Sequence, residues 1–299
     1  MNETYMKYAL ITGAAGGMGR IYAERLAEAG YGLLLVDINA KGLEETAALA
    51  RAAQDGAATA DEVAAVKVAE TSTTAADEVA ETGGTAAKIV TAAVDLTAAD
   101  AAAKVREAAD AAGITVDILI NNAGMIFISE ICEASKERLS RMMALHCTTP
   151  LLLCNEFIPD MKKRGWGKVL NISSIAAGMA WPVIGMYGNT KRFVKAYSRE
   201  LRTECHGSGV SVTVASFGAV DTPLFGFSEK QRRFMKSVGA MITPEKAVEK
   251  ALKAMFRGRK SITPGFINHL AVAFVPLIPD WIIRPLYRRF GPALRAMQR

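Results

Sequence analysis

Tyr187 and Lys191 stand four residues apart in the run Tyr187-Gly188-Asn189-Thr190-Lys191. On a helix, side chains at i and i+4 share a face. A phenol beside an ammonium is an acid–base pair. The positive charge favours phenolate and lowers a pKa that is ordinarily about 10. Such a tyrosine can move a proton near neutral pH. Ser173-Ser174 lies thirteen residues before Tyr187, at the end of an apolar run. Tyrosine and lysine fall at this spacing by chance on many helices, so the elements that position the pair decide its meaning.

Those elements begin at the N-terminus. Residues 7–11 read as a short buried strand, and Thr12-Gly13-Ala14-Ala15-Gly16-Gly17-Met18-Gly19 follows at once. Residues 20–29 read as a helix ended by Gly30, and residues 33–36 as a second strand stopping at Asp37. Strand, glycine-rich turn, helix, strand and acid make a dinucleotide-binding βαβ unit. Glycines let the backbone approach a pyrophosphate, and the helix N-terminus offers free N–H groups and partial positive charge. Asp37 is placed to accept from both ribose hydroxyls. A 2′-phosphate there meets like charge, which favours NAD over NADP.

Further strands are expected at residues 87–94, 117–120, 169–172 and 210–216, with helices between them. Alternation of this kind implies a doubly wound parallel sheet, Rossmann-like, with helices on both faces. Ligands of such sheets bind at the carboxyl ends of the strands. The glycine turn, Asp37, Asn121, Ser174 and Gly218 all fall on that edge. Asp95 could meet an adenine amino group there or cap a helix beginning near Ala98. Asn121-Asn122-Ala123-Gly124 suits a turn packed close to a cofactor, and equally an ordinary turn.

With these residues in view, the sequence resembles the short-chain dehydrogenase/reductase family. The matching residues are Thr12-Gly-x-x-x-Gly17-x-Gly19, Asp37, Asp95, Asn121-Asn-Ala-Gly124, Ser174, Tyr187-x-x-x-Lys191 and, after the sixth strand, Gly218-x-Val220-x-Thr222. The resemblance runs from about residue 7 to residue 265. It implies that Tyr187 is the general acid/base for a secondary alcohol or ketone and that Ser174 orients the same oxygen. Lys191 would hold the ribose and depress the tyrosine pKa. The implied cofactor site comprises Thr12, Gly13, Gly17, Met18, Gly19, Asp37, Asp95, Leu96, Asn122, Ala123, Gly124, Tyr187, Lys191, Gly218, Val220 and Thr222.

Two departures stand out. Where the family has an asparagine in the helix before Ser174, this chain has Leu145-His146. A histidine keeps the main-chain carbonyl used in the family's proton relay. Its ring would serve as a second donor or proton carrier, or simply pack in the helix. The loop after the sixth strand reads Phe217-Gly218 where the family often has Pro-Gly, and the glycine needed for close approach remains.

Residues 46–112 hold 27 alanines. Ala-Asp-Glu-Val-Ala occurs at 60–64 and again at 76–80. Residues 46–86 therefore read as a helical insert with the mark of a local duplication, within an oxidoreductase domain of residues 1–265. Leu224, Phe225, Phe227, Phe234 and Met235 suggest an apolar lid over substrate, so a lipophilic substrate is expected, steroid-like or acyl-chain. The lid's alternative is plain core packing.

The net charge is +6. Residues 257–299 hold eight of the 36 Lys/Arg and one acid, Asp280, so the rest of the chain is one charge negative. This argues against nucleic acid as a partner. Residues 266–283 are mostly apolar but broken by prolines, too irregular for a spanning helix. Residues 284–299 add five arginines and no acid. This 266–299 extension suits peripheral contact with an anionic membrane, or covers the pocket or a subunit interface. The four cysteines show no metal-ligand spacing, and residues 1–5 open no signal peptide. A cytoplasmic homo-oligomer with no bound metal is expected, with membrane association through 266–299 as the alternative. A dinucleotide-binding regulatory protein on the same fold is the alternative function, a membrane-peripheral protein the next. The regulators tend to lose the tyrosine or the lysine, and both are present here.

Overall fold

The computed structural model describes residues 6–59, 87–178, 182, 184–222, 224, 228–237 and 241–296. The chain opens with β1 (Tyr8–Thr12), α1 (Gly17–Glu28), β2 (Gly32–Asp37), α2 (Ala40–Thr59) and β3 (Ile89–Ala93). It continues through α3 (Ala101–Ala111), β4 (Val116–Asn121), α4 (Lys136–Met143), α5 (Thr149–Arg164) and β5 (Gly167–Ser174). Then come α6 (Gly185–Glu204), β6 (Val210–Phe217), β7 (Ala219–Val220), α7 (Glu229–Ser237), β8 (Met241–Ile242) and α8 (Pro244–Phe256). Strand β9 (Ser261–Ile262), α9 (Phe266–Phe274) and α10 (Asp280–Ala296) complete it.

Seven strands form one parallel sheet in the order β3-β2-β1-β4-β5-β6-β9. The near-continuous apolar runs of β1, β2 and β4 are buried on both faces, which is why they show no alternation with polar residues. Successive residues feed two cores. Ile11, Leu33 and Leu35 pack with Tyr22, Leu26 and Val248 on one side. Leu10, Leu34 and Leu119 pack with Val105, Phe157 and Val194 on the other. Chain order reverses between β1 and β4, opening a crevice at their carboxyl ends.

Local signals set the helix ends. Gly165 closes α5 in the left-handed conformation (φ 74°). Thr243 caps α8 by accepting from the Lys246 N–H, with Pro244 in its first turn. Helix α2 runs through Thr59 and buries Leu43, Thr46, Ala47 and Ala50. Residues 46–59 are therefore part of the crossover helix between β2 and β3. The repeated Ala-Asp-Glu-Val-Ala segments lie outside the described residues. Strand β9 pairs with β6 and forms one edge of the sheet.

Candidate active site

The glycine turn is built by exclusion of side chains. Gly13 has φ 66°, and a Cβ there would lie 2.8 Å from Ala123 Cα. A Cβ at Gly19 would collide with the Gly13 carbonyl. At Gly17 (φ 53°) the space is open, with the Thr222 methyl 4.0 Å away. Cβ-free backbone at the mouth of α1 is the cradle a pyrophosphate needs. The Thr12 hydroxyl accepts from Asn122 N (3.0 Å) and Ala123 N (3.1 Å). The Asn122 amide donates to Thr12 O (2.9 Å) and Gly13 O (3.2 Å), locking this turn to the end of β4. Met18 packs against the core from α1.

Asp37 ends β2 beside that turn. Its carboxylate accepts from Ala15 N (3.1 Å) and Asn39 N (3.0 Å), which fixes an acid at the rim of the cradle. Asp95 caps a turn instead of a helix. It accepts from the Thr97 N–H (2.9 Å) and hydroxyl (2.7 Å), and these bonds hold its pKa below the usual carboxylate value. Helix α3 starts only at Ala101, so the helix-capping role near Ala98 is not realised. Leu96 is buried, and its carbonyl accepts from the Thr149 hydroxyl (2.8 Å). Asn121 turns inward and donates to Asn171 Oδ1 (2.8 Å), away from the crevice edge.

Ser174 ends β5, and Tyr187 and Lys191 lie on the first turns of α6. The Ser174 hydroxyl donates to Phe217 O (3.2 Å) and accepts from Ala176 N (3.1 Å). Tyr187 is 7% and Lys191 5% exposed. The lysine Nζ lies 5.8 Å from the tyrosine ring centre and donates to Ile172 O (3.1 Å). The sequence expectation that the ammonium lowers the phenol pKa is reversed here. Burial pushes Tyr187 up to about 12, against a smaller lowering by the Ser174 hydroxyl. Burial likewise pushes Lys191 down to about 8. Desolvation penalises each charged form and outweighs the Ser174 hydrogen bond at the phenol and the Cys147 field at the ammonium. Gly124 completes this corner, because a Cβ there would sit 3.3 Å from His146 Nε2 and 3.7 Å from Lys191 Nζ.

His146 sits in a one-turn π-helix (Ala144–Thr148) between α4 and α5. Such turns insert one extra residue and often mark functional positions. Its ring is fully buried, and both nitrogens are committed. Nε2 accepts from the Met125 N–H (2.9 Å), so Nδ1 carries the proton and donates to Thr190 Oγ1 (2.8 Å). The Thr190 hydroxyl in turn donates to Tyr187 O (2.8 Å). Burial first, and the Lys191 charge second, drive the imidazole pKa well below its ordinary value. A neutral ring with both nitrogens occupied is a brace between the segment after β4 and the first turn of α6. Both ring nitrogens are thereby engaged in holding the two segments together. Thr190 and Met125 were missed by sequence reasoning. The hydroxyl three residues after Tyr187 was a usable signal for one, and nothing local marked the other.

Gly218, Val220 and Thr222 follow β6. Val220 is buried in β7, which pairs with β8, and Thr222 N donates to Val220 O (2.7 Å). Asp221 ties α7 to this loop through an ion pair with Arg232 (2.8 Å). Of the expected lid residues, Leu224 is 40% exposed, and Phe225 and Phe227 lie outside the described residues. A Cβ on Gly218 would strike the buried Asn268 amide, which comes from α9. Tyr287 of α10 donates to Glu130 in the segment after β4. The C-terminal extension therefore packs at the carboxyl edge of the sheet, against Gly218 and the segment after β4. No group of metal-ligating side chains occurs among the described residues.

Comparison with known proteins places this geometry. The family profile described as short chain dehydrogenase matches residues 7–64 and 50–233. The 17-beta-hydroxysteroid dehydrogenase type 3 of Danio rerio is 27% identical over 285 residues, covering 93% of this chain and 79% of that protein. Very-long-chain 3-oxoacyl-CoA reductase-A of the same organism is 26% identical over 277 residues, covering 91% and 73%. The solved short-chain dehydrogenase from Sphingobium yanoikuyae in complex with NADPH superposes with a TM-score of 0.69 at 25% identity, covering 95% of this chain and 96% of that one.

Proposed function

The chain belongs to the short chain dehydrogenase family, and from that premise we propose that it reduces a lipophilic ketone, or oxidises the matching alcohol, with NAD as its preferred cofactor. As a member of this family it is an oxidoreductase acting on secondary alcohols or ketones. The observation that supports the reading is the convergence of Ser174, Tyr187 and Lys191 on the edge that holds the glycine cradle.

The cradle residues fit a dinucleotide. The Gly13–Gly19 backbone and the N-terminus of α1 would hold the pyrophosphate, and Asp37 the adenosine ribose. When bound, a nicotinamide would supply the hydride in reduction and accept it in oxidation. The chain's own residues do the rest. The Ser174 hydroxyl orients the substrate oxygen. The Tyr187 hydroxyl donates its proton to that oxygen in reduction, becoming phenolate, and the phenolate takes the proton back in oxidation. With a pKa of about 12, the apo phenol is protonated at neutral pH, the state ketone reduction requires. Lys191 holds a charge beside it, and His146 through Thr190 fixes the turn that carries it.

The lipophilic substrate rests on the apolar surroundings of Tyr187. Phe127, Met142 and Ala176 pack with it, and Met125, Ile126 and Met186 lie against them. The similar proteins named for a steroid and for 3-oxoacyl-CoA point the same way. The NAD preference rests on the fixed Asp37 carboxylate. We further propose a homo-oligomer in the cytoplasm. NADH and NADPH oxidation should be followed with a panel running from small water-soluble ketones to steroid and long-chain 3-oxoacyl ketones. The reading predicts kcat/KM rising with substrate apolar area and higher with NADH. A flat series across the panel would count against the lipophilic substrate, and equal rates with NADPH against the NAD preference.

A further inference from the structure

A helix lying on a protein surface buries its apolar stripe and turns its polar side to water. Helix α9 does the reverse. Its buried side carries Asn268, whose amide donates to Pro264 O (2.7 Å) and rests on Gly218. Ala271 and Val272 are half-buried on the same side. Its outer side carries Ile267, Leu270 and Phe274, spaced i, i+3, i+7 and all exposed. The pattern continues past the helix. Leu277 is 73% exposed in the turn, and Trp281, on the first turn of α10, is 72% exposed. Helix α10 then turns Ile282, Ile283, Leu286 and Tyr287 toward the body and leaves Arg284, Arg288 and Arg289 exposed. Trp281, Arg284 and Arg288 share its outer side by spacing.

We propose that this outward side of residues 267–289 is a docking face for an anionic lipid bilayer. Exposed aliphatic and phenyl groups beside an indole and a row of guanidinium groups match the order met on entering a membrane interface, acyl boundary then headgroup. Charge complementarity selects the occupant. A second copy seated by two-fold symmetry would set the same arginines against each other, whereas anionic headgroups attract them. No helix among the described residues is long and apolar enough to cross a membrane, so contact is at the surface. The face is joined to the site. Helix α9 packs on Gly218 and on the 3-10 turn Ile175–Gly178 that follows Ser174. Helix α10 is held to the segment after β4 through Glu130, whose neighbour Ile131 is 55% exposed. Docking therefore brings the carboxyl edge of the sheet that carries Ser174 and Tyr187 near the bilayer, a route for substrate dissolved in lipid. That last step rests on the lipophilic-substrate reading, and the docking itself does not.

The test is vesicle flotation of the full chain with phosphatidylcholine alone and with phosphatidylcholine mixed with phosphatidylserine, at low and high salt. Wild type should float with the anionic vesicles and be released by salt. The variant Phe274→Ser/Leu277→Ser/Trp281→Ser should stay at the bottom while turning over a water-soluble ketone normally. Arg284→Gln/Arg288→Gln/Arg289→Gln should weaken partition on the order of a hundredfold. Wild type that ignores anionic vesicles, or a serine variant that floats like wild type, overturns the proposal. So does a serine variant whose only change is a halved mass by light scattering, which would make the face a contact between copies. Flotation as predicted without reduction of any lipophilic ketone would leave the docking standing and remove the substrate reading.

Discussion

Lys191→Met separates what the buried lysine does for catalysis from what it does to the fold. The two side chains have similar volume, so the exchange removes the charge and leaves little cavity. Burial lowers the Lys191 pKa from 10.5 to about 8. That shift corresponds to a cost of about 3 kcal/mol for keeping the ammonium charged in the folded state. The methionine variant loses the hydrogen bond to Ile172 O, worth about 1 kcal/mol. At pH 7 the variant should therefore be more stable than wild type by about 2 kcal/mol, or about 3 °C in Tm for a chain of this size. The sign follows from a depressed folded pKa. The cost is complete below pH 8, fades as pH rises from 8 to 10.5, and is absent above that. By pH 9.5 it has fallen to about 1.4 kcal/mol, and the gap between the two proteins should be close to zero. Paired thermal melts at pH 7 and 9.5 read this, because, of the two groups that feel the Lys191 charge, His146 is neutral at both pH values and Cys147, pushed up to about 11, is protonated in the fold. A variant less stable than wild type at pH 7, or a gap that does not close at pH 9.5, refutes the reasoning. Turnover of the variant should drop about a hundredfold or more.

His146 is buried neutral, with its pKa driven down by burial. Stability should be complete above pH 6.5 and should be lost on acidification, by about 1.4 kcal/mol per pH unit relative to His146→Asn. Chemical denaturation between pH 7 and 5 checks this, and parallel curves would show that the ring is not held neutral. The pH–rate profile of wild type should contain no limb belonging to this imidazole, so His146→Asn should leave the shape of the profile unchanged. Asp37→Ser removes the acid at the rim of the cradle and should shift the NADPH/NADH ratio of kcat/KM upward by about tenfold or more. An unchanged ratio would take cofactor choice away from Asp37.

The sheet and the cradle were readable because their physics is local. Apolar runs such as Leu33-Leu34-Leu35-Val36, short and closed by an acid, read as strands buried on both faces. Gly13 and Gly19 answer to steric limits that no other residue meets. Helix α2 was harder, since an alanine-rich stretch gives a faint period, and the buried Thr46 and Ala50 carry little signal. The Tyr187–Lys191 pair was visible, but its electrostatics were not. Spacing tells which charges are neighbours, whereas desolvation depends on the packing that only the fold supplies. His146 shows the same limit, because its partners Met125 and Thr190 lie 21 and 44 residues away. In the C-terminal extension the composition was legible and the facing was not. Asn268 points in and Trp281 out because of contacts with Gly218 and Glu130 made across the whole chain.

The central claim is that Tyr187 moves the proton at a site assembled around a nicotinamide cofactor. Tyr187→Phe tests it most directly, since it removes one hydroxyl from a well-packed ring. Ketone-dependent NADH oxidation and NADH binding by fluorescence should be measured on the same preparation. The account predicts turnover reduced about a thousandfold with binding essentially unchanged. Turnover near the wild-type rate would contradict it.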